Sequence, residues 1–107
     1  MHNIYENNIL IINTALKIVN NIRIQNYDKA VRLLTALVSY LTKSAEDIFT
    51  NLDFYNQNGV IVTQENFVKY IKDITDAQEK KDFIHLADML EIEIVPMYMA
   101  MQDMLKL

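Results

Sequence analysis

Residues Ala87–Leu105, ADMLEIEIVPMYMAMQDML, hold every methionine except the first and the only proline of the chain. How this stretch is read decides the fold. Projected at ~100° per residue, Phe83, Leu86, Ala87, Leu90, Ile94, Met97, Tyr98, Met101, Met104 and Leu105 fall on one stripe of a helix. Met89, Ile92, Pro96, Met99 and Ala100 fall on nearly the opposite side, bordered by Asp88 and Asp103. The first stripe reads as core. The second gives the helix a further apolar face, which suits either a central position or a surface offered to something else. Methionine fits an adaptable surface because its unbranched, polarizable chain repacks around different partners. Pro96 cannot donate to the carbonyl of Ile92 and its ring crowds that turn, so the helix is expected to kink or break near Pro96.

Outward from this stretch, three more helical patterns appear. In the first, Ile4, Tyr5, Ile9, Ile11, Ile12, Ala15, Leu16, Ile18, Val19 and Ile22 share one broad arc, with Asn8 the only strongly polar side chain placed on it and Leu10 on the polar side. The second runs from Tyr27 to about Phe54, with Asn26 as its expected cap and an interruption expected near Ser44 or Asn51. Its stripe is wide enough to predict the most buried helix. The third spans about Gln64 to Glu79, capped by Thr63, and Asp82 caps the last. Between the second and third, Asn58-Gly59 supplies a turn with easy positive φ, and Val60–Val62 can form one short extended segment. Short turns after the first and third helices place neighbours antiparallel. The expected fold is all-α, an up-down-up-down four-helix bundle in a single domain over residues 1–107. No internal repeat is evident.

Composition narrows the function. A net charge of −4 with scattered cations leaves no footprint for nucleic acid or anionic lipid. The first helix is interrupted by Asn13, Thr14 and Lys17 and predicts no membrane span. The N-terminus lacks a basic region followed by a cleavage site, which predicts a cytoplasmic protein. Without cysteine there is no thiolate chemistry, and two distant histidines make no zinc or di-iron set. His85 falls opposite the main apolar stripe and is expected in solvent. Glu91 and Glu93 point ~200° apart on a helix and cannot act on one substrate. Thioethers can hold copper(I), but a packed helix already accounts for the methionine spacing. No cofactor, no metal and no catalysis are therefore expected.

The segment ENFVKYIKDITDAQEKKDFIHLADMLEIEI, residues 65–94, resembles the flagellin export chaperones of the FliS type. Asn66-Phe67, Tyr70, Ala77, Lys80, Asp82, Leu86 and Leu90 can be laid on that family's helix-turn-helix pattern. The third helix is about one turn short of it, and the family's paired arginines are replaced by Lys72 and Asp73. The ending ADMLEIEIVP also resembles small helical proteins of clostridial type. The resemblance implies a small cytosolic bundle that shields an aggregation-prone helix of a flagellin-like partner. The expected function is a non-catalytic protein-binding module, with Met89, Ile92, Pro96 and Met99 as partner contacts. The alternative is a self-associating assembly protein, a homodimer through the same face.

Overall fold

The computed structural model describes residues 2–57, 59 and 63–105, with the side chains of His2 and Asn3 left aside. The chain is all-helical, and no strand occurs among the described residues. Its elements are α1 (His2–Arg23), α2 (Tyr27–Thr50), α3 (Leu52–Gln57), α4 (Gln64–Glu79), α5 (Phe83–Met89), a π turn (Leu90–Ile94) and α6 (Val95–Leu105). The last three form one continuous helical path. The described residues thus make five rods where the periodicity predicts four, because the second pattern is cut at Asn51. There the Asn51 amide closes α2 on the carbonyl of Ile48, and its side chain donates to the carbonyl of Asp47 at 2.8 Å. Its own carbonyl then accepts from Tyr55 to begin α3. Ser44, the other expected break, lies buried inside an unbroken α2.

Two helix ends are built alike. After α1, the Gln25 amide donates to the carbonyl of Ile22 at 3.0 Å and the Asn26 amide to that of Asn21 at 2.8 Å. After α4, Lys81 donates to Gln78 at 3.1 Å and Asp82 to Ala77 at 2.9 Å. These paired bonds are the Schellman termination, which needs a left-handed residue between helix and turn. Gln25 at φ 64° and Lys81 at φ 55° fill that position, where glycine is the unstrained choice. The first residues of the following helices, Tyr27 and Phe83, stack at 4.4 Å and hold the two turns side by side.

The capping expectations divide. Thr63 accepts from the Asn66 amide at 3.0 Å, and Asp82 from the His85 amide at 3.1 Å. Asn26 occupies the cap position of α2 but its side chain makes no cap bond. Asn26 and Asp82 share nearly the same backbone angles. Gly59 takes φ 91°, as the turn requires; Asn58 and Val60–Val62 lie outside the described residues.

α1 lies against α2 and along the whole C-terminal path, while α4 lies against α2 and α5. The bonds Asn8–Gln102 and Arg23–Glu91 show that α1 and the C-terminal path run antiparallel. The core between the rods holds Ile11, Ala15 and Ile18 of α1, Leu34, Leu37, Leu41 and Ile48 of α2, and Phe67 and Ile74 of α4. It also holds Leu86, Leu90, Ile94, Tyr98 and Met101 from the C-terminal path. That path, not α2, contributes more buried residues than any other rod. Each large side chain so buried contributes about 1.5–3 kcal/mol of transfer free energy.

Pro96 does not split this path. The irregularity falls one turn earlier, where Val95 donates to the carbonyl of Leu90, five residues back instead of four. Widening the turn before a proline is a standard way to relieve its ring and its missing donor. The core residues after Pro96 stay buried, so α6 remains docked. Because Gln25 and Lys81 stand where glycine is preferred, Gln25→Gly and Lys81→Gly should each stabilise the fold by about 0.5–1 kcal/mol. Thermal unfolding checks this through a midpoint raised by a few degrees; a lowered midpoint would reject the reading of these turns.

Candidate functional site

The π turn sets which C-terminal side chains face out. One extra residue in a turn advances every residue before it by about 100° relative to those after it. A uniform projection places Met89 with Ile92 and Met99. In the structure Met89 is rotated into the core, 4% exposed, while Ile92 is 68% and Met99 52% exposed. Met89 is therefore corrected from a surface contact to a core residue. It lines a shallow depression together with His85, Asp88, Ile92 and Glu93. Pro96 is exposed, as expected of the second face. Three of the four expected contacts thus lie together on one outward strip.

The strip does not stand alone. α1 runs antiparallel beside it and contributes residues that the broad apolar arc assigned to the core. Ile9 and Leu16 are exposed, and Leu10 is exposed further round the same helix. Tyr5, Ile9, Ile12 and Asn13 of α1 face Met99, Gln102 and Asp103 of α6 across a groove of about 200 Å³. The signal for this was available: ten apolar residues on one arc exceed what a helix with two neighbours can bury. What the sequence lacks is the edge at which burial stops.

Beneath the groove lies a polar clamp. Gln102, itself buried, donates from Nε2 to the backbone carbonyl of Tyr5 at 3.1 Å and accepts from the Asn8 side chain at 2.9 Å. Asn7 donates to the carbonyl of Tyr40 at 3.3 Å, tying α1 to α2. These bonds fix the register of α6 on α1, because any sliding would leave buried amides unpaired. Among the described residues no buried side-chain nitrogen or oxygen lacks a partner.

The titratable groups are structurally engaged. The Tyr98 hydroxyl is bonded to that of Ser44 at 2.8 Å, and burial pushes its phenol pKa well above the ordinary tyrosine value. Burial likewise raises the Tyr55 phenol, with the Asp47 charge adding to the effect. Arg23 donates to Glu91 at 2.6 Å across α1 and the π turn; that bond and the charge of Glu91 raise the guanidinium pKa further. His85 is exposed. Among the described residues no three His, Cys, Asp or Glu side chains gather where they could hold a metal. No described helix is long and apolar enough to cross a membrane. What the arrangement offers chemically is apolar surface flanked by acidic side chains.

The different surroundings of the two methionines give a direct check. Met89→Lys should destabilise the fold by about 2–4 kcal/mol, through lost packing and a charge forced inward. Met99→Lys should change stability by no more than about 0.5 kcal/mol. Urea denaturation of both variants reads this difference, and equal losses would place both side chains alike.

No curated protein and no solved structure matches the chain. A family model does match it over residues 1–104, nearly the full length, and the chain therefore belongs to the family described as Domain of unknown function (DUF8042).

Proposed function

We propose that this chain is a non-catalytic protein-binding module, an antiparallel four-helix bundle whose face between α1 and the C-terminal path takes up an amphipathic helix of another protein. The observation that carries the proposal is the exposed strip of Ile92, Pro96 and Met99, with Ile9 facing Met99 across the groove and Leu16 also exposed on α1. Isolated apolar residues are normal on any surface, but a run of them along the seam of two helices is the form that helix-in-groove recognition uses. Met99 and the groove behind it supply adaptable contact, and the rigid clamp of Asn8 and Gln102 below keeps the groove preformed. A preformed surface loses less free energy on binding than one that must be ordered first.

The role that fits is that of an export or assembly chaperone in the cytoplasm, shielding a partner's apolar helix until it is handed on. The resemblance of residues 65–94 to flagellin export chaperones supports that assignment. Four rods then serve as the scaffold, with α3 a short extension of the second. The same face could serve a homodimer, and the experiment below separates the two.

The test is affinity capture from the source organism with wild type and the Ile92→Lys/Met99→Lys double variant, each also weighed in solution. The proposal expects proteins retained by the wild type and lost by the variant, with the wild type monomeric when free. Identical capture by both forms would reject this face. A wild-type dimer dissociated by the double variant would replace chaperoning with self-assembly.

A further inference from the structure

The charges around the strip select its occupant. Between Phe83 and Leu105 the chain carries Asp88, Glu91, Glu93 and Asp103 and no lysine or arginine; Lys106 follows, outside the described residues. Asp88 and Asp103 are exposed and lie at the two ends of the run Ile92, Pro96, Met99. At ~1.5 Å per residue they stand about 22 Å apart along the helix axis. Arg23 is bonded to Glu91 and feels the charge of Asp88, and the three carboxylates Asp88, Glu91 and Glu93 outnumber it at that end. On α1, Glu6 and Lys17 are exposed and carry opposite charges. Asp103 also lines the groove.

We propose that the occupant is an amphipathic helix with a basic residue on each side of its apolar stripe, the two placed about four turns apart to meet Asp88 and Asp103. This rests on the helix-in-groove reading and adds the partner's charge pattern and minimum length. A second copy of this chain fits poorly. Two such faces meeting antiparallel would bring Asp88 against Asp103 at both ends, and meeting parallel would bring each aspartate against its own copy. Like charges facing across an interface oppose association and leave the apolar strip to a partner of opposite sign.

Two synthetic probes test this. Both are ~20-residue amidated peptides with leucines at i, i+3, i+4 and i+7 spacing. One carries lysines about 15 residues apart beside the apolar stripe, and the other carries glutamates there. Binding is followed by fluorescence anisotropy at low and high salt, with wild type, Asp88→Asn/Asp103→Asn and Met99→Lys. The expected result is that wild type prefers the lysine peptide about tenfold at low salt, less at high salt. The double asparagine variant should lose that preference while still binding, and Met99→Lys should bind neither peptide. Equal binding of the two peptides by wild type would overturn the charge pattern and leave the groove reading standing. Binding of neither would overturn both. A wild-type dimer that buries Met99 would make the second copy the occupant and overturn the proposal.

Discussion

Pro96 has no amide proton to give, and the C-terminal third of the molecule is arranged around that lack. The turn before it widens so that Val95 reaches back to Leu90, and the helix passes through the proline without parting. The widened turn also shifts the helical phase. Residues before it and after it cannot both be placed by one uniform projection. Met89 goes inward, while Ile92 and Met99 stay out on either side of the proline. Both the burial of the C-terminal path and the shape of its outward strip follow from this one local change.

The second constraint is polar. Asn8, Gln102 and the Tyr5 carbonyl form a closed set inside an otherwise apolar seam, and Ser44 with Tyr98 forms another against α2. Satisfied pairs of this kind add little net stability but penalise every misregistered packing, where a buried amide or hydroxyl would be left alone. The pairing of α1 with α6 is thereby held in one alignment. That alignment is what brings Ile9 and Ile12 opposite Met99 and opens a groove there.

Much of the fold was legible because its signals are local. Thr63 and Asp82 cap where their side chains and positions say they should, the chain turns at Asn51, and Gly59 supplies its positive φ. The features that escaped are those set by distant parts of the chain. Nothing in Leu90–Ile94 alone announces a π turn, so a uniform projection puts Met89 on the wrong face. The arc of α1 shows which residues are apolar but not how much of it two neighbours cover, which hides the exposure of Ile9 and Leu16 and the place of Ile9 in the groove wall. Gln25 and Lys81 conceal their Schellman turns because neither is the glycine such turns prefer. Asn26 looked like a cap because its residue type is right, although its side chain goes unused. The exposure of Ile92, Pro96 and Met99 was legible from the second apolar stripe, whereas the α1 residues facing Met99 required the tertiary pairing.

The account turns on the phase set by the π turn, and the methionines report on it directly. Labelling their methyl groups with carbon-13 and adding a neutral paramagnetic cosolute measures the exposure of each one in solution. The account predicts strong relaxation of the Met99 methyl and protection of those of Met89 and Met101. A Met89 methyl relaxed as strongly as that of Met99 would mean an unbroken α-helical phase, and would contradict the described face.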